Sequence, residues 1–126
     1  MERPSMRLTS ITIGAPEPAA LAAFYADLLG LQVTSEEPDG GWAQIRAPEG
    51  SGPTLNFEFE RHHTRPVWPA RPGAQVATQH LDIWVQDLDA AVRWALRCGA
   101  VEAEVQPQPQ VRVLIDPAGH PFCLFT

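Results

Sequence analysis

Between Leu8 and Gly14 the side chains alternate, with Thr9, Ile11 and Ile13 on one side and Ser10, Thr12 and Gly14 on the other. That is the period of a half-buried strand. The period then lengthens. Proline at position 18, directly after Glu17, suits the first turn of a helix, and Leu21, Phe24, Tyr25, Leu28 and Leu29 recur at helical spacing until Gly30 ends the run. Leu31 to Ser35, Gly41 to Ala47 and Thr54 to Glu60 read as three further strands, separated by Pro38-Asp39-Gly40 and by the turn-rich run from Pro48 to Pro53. The first stretch is therefore a βαβββ unit.

The same order returns seventy residues later. Setting Glu17 opposite Asp87 also sets Ser10 opposite His80, Phe24 opposite Trp94 and Leu28 opposite Cys98. His80 to Gln86 is predicted as a strand, and Asp87 is a good N-cap for a helix from Leu88 to Gly99 with Ala91, Val92, Ala95 and Leu96 on one face. Val101 to Val105, Val111 to Ile115 and Pro121 to Phe125 complete the second unit, the last two joined by the turn Asp116-Pro117-Ala118-Gly119. Between the copies, Arg61 to Thr78 carries Pro66, Pro69 and Pro72 and no periodicity, as expected of a linker or lid. The expected fold is α+β: one domain over residues 1–126, with unit one at about 7–60, the linker or lid at 61–78 and unit two at 79–126. The two tandem βαβββ units are expected to form a curved mixed sheet around a central cavity.

Strand parity names the residues that face such a cavity. Leu81, Ile83 and Val85 should meet a helix, which leaves His80, Asp82 and Trp84 on the opposite face. Likewise Leu55, Phe57 and Phe59 point to the helix side, and Asn56, Glu58 and Glu60 away from it. Ser10 and Thr12 join the inner face from the first strand. In the last strand Phe122 and Leu124 pack under the helix, so Cys123 and Phe125 face inward. Histidine, carboxylates, a thiol and an indole on one concave wall form the polar-spotted lining expected of a small-molecule site.

Composition narrows the choice of partner. Nine basic against 15 acidic residues, a net charge of −6, argues against nucleic acid. No apolar run has the length of a membrane span, and the opening residues lack the apolar stretch of a secretory signal, so a soluble cytoplasmic protein without a membrane partner is expected. Cys98 and Cys123 form no CxxC pair and no disulfide framework. Cys98, matched to Leu28, reads as core.

The doubled βαβββ pattern, the phrases LAAFYADLLG and DLDAAVRWA and the closing DPAGHPFCLF resemble the vicinal oxygen chelate superfamily. That superfamily contains glyoxalase I, the bleomycin resistance proteins and the extradiol dioxygenases. The segment RPVWPARPGAQVATQHLDIWV further resembles its glyoxalase-like branch. The resemblance implies a homodimer and, in catalytic members, one divalent metal such as Zn, Fe, Ni or Mn. Carried over position by position, the ligand places are Ser10, Glu58, His80 and Cys123. Glu58 and His80 fit that role. Ser10 offers little charge compensation, whereas Cys123 could bind zinc as a thiolate.

Two functions are compatible with these residues. In the first, the chain binds a small organic molecule without a complete metal site. Trp42, Trp68 and Trp84 serve as an aromatic clamp, Ser10, Thr12, Asn56, His80 and Phe125 line the cavity, and Arg46 and Arg112 pair with a ligand anion. In the second, His80, Glu58 and Cys123 hold a metal for a lyase, isomerase or dioxygenase, with Glu58, Glu60 or Asp82 as candidate catalytic carboxylates. The plainer alternatives are a histidine hydrogen-bonded to Asp82, solvated carboxylates, arginines in ordinary ion pairs with Glu58, Glu60 or Asp82, and tryptophans that fill a large sheet. His62 and His63 read as exposed loop histidines, and His120 as a residue that stabilises its turn. The loss of metal-type ligands from two of the four family places puts binding ahead of catalysis.

Overall fold

The computed structural model describes residues 1–126 and contains eight strands and two helices. Unit one comprises β1 (Ser10–Ala15), α1 (Pro18–Leu29), β2 (Ser35–Glu36), β3 (Trp42–Ile45) and β4 (Thr54–Phe59). Unit two comprises β5 (Leu81–Trp84), α2 (Leu88–Cys98), β6 (Val101–Glu102), β7 (Val111–Ile115) and β8 (Pro121–Phe125). Instead of one curved sheet there are two mixed four-stranded sheets, ordered β1-β4-β3-β2 and β5-β8-β7-β6, and neither is strongly curled. In each the first strand runs parallel to the last, and the remaining pairs are antiparallel. No helix is long and apolar enough to cross a membrane.

Local chemistry sets the helix ends. α1 opens on Pro18 and closes at Gly30, whose φ of 67° lets Leu31 N–H reach Ala26 O at 2.9 Å. α2 is capped by Asp87, whose Oδ1 accepts from Ala90 N at 3.0 Å. Its buried stripe is Leu88, Ala91, Val92, Ala95 and Cys98, so Leu96 lies one step past the stripe and is exposed, contrary to the expected inner face. Phe59 also departs from expectation. It is 54% exposed because the end of β4 runs past the start of α1 and lies beside Pro16 to Pro18 instead of under the helix.

Several strands are shorter than the alternation suggested, and β6 shows why. Ala103 N–H still reaches Val113 O at 3.0 Å, but beyond it the backbone leaves the ladder and the Gln106 side chain takes its place. Its amide donates to Ala103 O and Val113 O at 2.9 and 2.8 Å, while its Oε1 accepts from Val113 N at 2.8 Å. Val113 is buried although it lies on the sheet face away from the helices.

One hydrophobic core joins both units. Tyr25 stacks on Phe57 at 5.7 Å, and Phe24 meets Phe122 of β8 edge-on at 5.9 Å. Beside this cluster Asp116, 1% exposed, accepts from Tyr25 Oη at 2.7 Å through Oδ2, and through Oδ1 from Ala118 N and His120 N at 2.9 and 3.0 Å. The same turn makes three more bonds. His120 Nε2 donates to Gly14 O of β1 at 2.8 Å, His63 Nε2 donates to Ala118 O at 2.8 Å, and Arg65 donates to Pro117 O at 2.8 Å. Carbonyl oxygens only accept, so both imidazoles carry their proton on Nε2. His63 is therefore a half-buried tether of segment 61–78 and not the exposed loop residue its sequence context suggested.

Burial, then the charge of Asp116 and the hydrogen bond to it, hold the Tyr25 hydroxyl well above its ordinary value of about 10. A raised folded-state value means that this contribution to stability is complete below the unfolded value and is lost as pH rises towards the folded one. Tyr25 is the only tyrosine, so tyrosinate absorbance should appear only together with alkaline unfolding. Tyr25→Phe should lose about 1–3 kcal/mol in urea denaturation at neutral pH and flatten the alkaline fall in stability. For the Gln106 clasp, Gln106→Ala should speed exchange of the Val113 amide about 5- to 30-fold in hydrogen-exchange measurements, as expected for the loss of about 1–2 kcal/mol of local protection.

Candidate functional site

The register of β5 on β8 builds the site. Asp82 lies opposite Cys123 and Trp84 opposite Phe125, while Leu81 and Ile83 lie opposite Phe122 and Leu124. The second set packs on the core, so the first set projects from the open face of the sheet. His80 stands just before β5 on the side of Asp82, and its Nε2 lies 3.3 Å from Asp82 Oδ1, with the two side chains 53% and 60% exposed. Burial and then the negative charge of Asp82, together with a hydrogen bond to that carboxylate, push the Cys123 thiol above its ordinary range.

His80, Asp82 and Cys123 form a group whose ligand atoms lie within 4.8 Å of one another. They share an open hollow of about 490 Å³ with Gln108, Gln110, Val111 and Phe125. A second hollow, of about 450 Å³, meets the same edge of β5 at Asp82 and Trp84 and is walled by Leu29, Leu31, Ile45, Leu55 and the β3–β4 connection. The site is thus two adjoining open hollows with different linings, one polar and one mainly apolar.

Other expected residues stand elsewhere. On the open face of the first sheet, Thr12 lies level with Asn56 and Trp42 with Glu58, and Gln44 Nε2 donates to Asn56 Oδ1 at 2.9 Å. Glu58 is exposed there and belongs to no group of metal-type side chains, and the Ser10 hydroxyl meets Thr9 Oγ1 at 3.2 Å. Glu60 accepts from His62 N at 3.1 Å in a separate polar hollow with His63 and His120. Arg46 is exposed just beyond β3, and Trp68, half-buried in segment 61–78, borders neither site hollow. Arg112 does not serve the open face. Its register partner is Leu124, which puts it on the helix side, where its Nε lies 3.8 Å from Glu102 Oε1 and its Nη1 donates to Pro109 O at 2.9 Å.

Asp82 is the residue whose role sequence reasoning placed differently. Parity put it beside His80, but only the parallel register with β8 brings it to Cys123. Imidazole, carboxylate and thiolate together suit a zinc-type ion at bond lengths of about 2.0–2.3 Å, and the exposed His80 and Asp82 side chains can rotate to close the set. The residues present therefore fit a divalent metal. In such a site His80, Asp82 and Cys123 would hold it, and the ion would supply Lewis acidity at the open hollow.

With this geometry in hand, the chain can be set beside known proteins. Residues 10–125 match the family described as "Glyoxalase-like domain". The uncharacterized protein YaeR of Escherichia coli (strain K12) is 31% identical over 122 residues, spanning 91% of this chain and 92% of that protein. A glyoxalase/bleomycin resistance protein/dioxygenase family enzyme from Burkholderia phytofirmans PsJN superposes with a TM-score of 0.70 at 17% identity, covering 94% of this chain and 97% of that one. TnmS3, an antibiotic binding protein from Streptomyces sp. CB03234, does so with a TM-score of 0.64 at 17% identity, covering 98% of both chains. At such identities the two structures establish the fold and nothing finer. The match over nearly the whole chain, on a doubled βαβββ frame, makes this protein a member of the glyoxalase-like family within the vicinal oxygen chelate superfamily.

Proposed function

We propose that the protein binds a small organic molecule on the open face of its second unit. Trp84 and Phe125 would stack against an apolar, planar part of the molecule, and His80, Asp82 and Cys123 would meet its oxygen substituents. The observation that carries this reading is the β5–β8 register. It sets an aromatic pair directly beside a polar trio on one unobstructed face, with Trp84 65% exposed although nothing in the fold requires a tryptophan there. Exposed aromatic surface next to convergent polar groups is characteristic of a binding site. The name of TnmS3, an antibiotic binding protein on the same fold, is consistent with such a role.

Metal-dependent lyase, isomerase or dioxygenase activity is the second reading, and the donor trio favours it. In that reading Asp82 takes the ligand role that the resemblance gave to Glu58.

Titration with planar aromatic compounds that carry adjacent oxygen groups, followed by tryptophan emission, tests the binding proposal. A binding member of the panel should quench the wild type saturably, and Trp84→Ala should weaken its affinity about 5- to 10-fold, the equivalent of one aromatic contact of about 1–1.5 kcal/mol. Trp68→Phe should bind like the wild type. Unchanged affinity in Trp84→Ala would place the molecule elsewhere and overturn the proposal.

A further inference from the structure

We infer that the molecule bound is an uncharged amphipath whose apolar chain passes around the free edge of β5 into the apolar hollow, while its planar, oxygen-bearing head lies on the open face of the second unit. The placement of the head rests on the binding reading; the chain and the polar link between them are added to it.

β5 is the outermost strand of its sheet, so one side of its backbone has no ladder partner. Val85 N–H bonds to Phe125 O at 2.8 Å, and alternate residues of a strand direct their N–H and C=O groups to the same side. Leu81 and Ile83 therefore face β8, and the N–H and C=O groups of Asp82 and Trp84 point away from it. None of these four groups makes a backbone hydrogen bond. Asp82 and Trp84 border the apolar hollow, and Asp82 borders the polar one as well, so this edge is where the two hollows meet.

The linings state what can cross the edge. Leu31, Ile45, Leu55 and Ile83 wall a hollow of about 450 Å³, ample for an alkyl chain or a ring. Pro48 and Pro53 restrict the backbone of the β3–β4 connection, which closes part of the same wall. Asp82 is the only charged residue at the border of this hollow, and no arginine borders either one. A chain that ended in a carboxylate or a phosphate would lose hydration there without gaining a counter-ion. Between head and chain, an amide or a similar polar link would pair with the free N–H and C=O groups of Asp82 and Trp84.

N-Alkylacetamides carry such a link and chain without a head, and their titration into isotope-labelled protein, followed by amide NMR, tests the edge directly. N-Hexylacetamide should shift the Asp82 and Trp84 amide signals saturably, and affinity should rise about 2- to 4-fold for each methylene added from butyl to hexyl. Hexanoate should bind about tenfold more weakly than N-hexylacetamide, or less well still. Ala47→Phe, which fills the hollow from its wall, should weaken N-hexylacetamide about tenfold with unchanged thermal unfolding, whereas Trp68→Phe should bind like the wild type. Unmoved Asp82 and Trp84 signals, a flat response to chain length, equal binding of hexanoate, or full affinity in Ala47→Phe would each overturn the inference. Because these probes have no aromatic head, their failure beside a positive fluorescence titration leaves the reading of the open face intact. The converse result overturns that reading and leaves the edge and the hollow as the site.

Discussion

A buried carboxylate holds the two halves of this protein in register. Asp116 lies at the β7–β8 turn of the second unit, yet one of its oxygens is bonded to Tyr25 of the first unit's helix and the other to the backbone of its own turn. An isolated buried carboxylate is costly, and three donors make this one tolerable. The turn so formed also presents the carbonyls of Pro117 and Ala118 to Arg65 and His63, and its last residue, His120, reaches back to β1. One tight turn thereby ties together unit one, unit two and the segment between them.

That constraint reaches the candidate site through β8. The strand begins immediately after the turn, at Pro121, and its inward side chains Phe122 and Leu124 lock into the aromatic cluster around Phe24 and Tyr25. Strand alternation then leaves Cys123 and Phe125 no choice but the open face. Parallel pairing with β5 sets them level with Asp82 and Trp84. The donor trio therefore rests on a framework whose position the core decides, while the donors themselves remain largely in solvent. This combination suits ligand capture: the backbone is rigid, and the long side chains can adjust.

Much of this was legible in the sequence because periodicity is a local property. The helical stripe from Leu21 to Leu29, the alternation around His80 and the glycines that end both helices each announce their element within a few residues. Register is not local, and the misreadings trace to it. Nothing near Asp82 says that Cys123, forty-one positions on, will lie beside it and that Glu58 will not. Arg112 was misplaced for a related reason. In Val111 to Ile115 buried apolar residues occur on both faces, Leu114 on the helix side and Val113 on the other, so parity loses its meaning. Leu96 and Phe59 show the converse, since an apolar residue at the margin of a helix contact reads like core and remains exposed.

The two units share a core pattern and differ on their open faces. In unit one that face carries hydroxyls and amides at Ser10, Thr12, Gln44 and Asn56, and the amides satisfy each other. Such neutral groups can orient a molecule but cannot compensate a cation or take up a proton near neutral pH. Unit two has imidazole, carboxylate and thiol at the matching places, all three able to change charge. If both faces were equivalent, either could take the same ligand. Because they are not, imidazole and thiol contacts can arise only at the β5–β8 edge, and the first sheet offers the exposed carboxylate of Glu58 beside neutral hydrogen-bonding groups. Sequence repetition thus fixes the frame twice, whereas the chemistry is concentrated in the second copy.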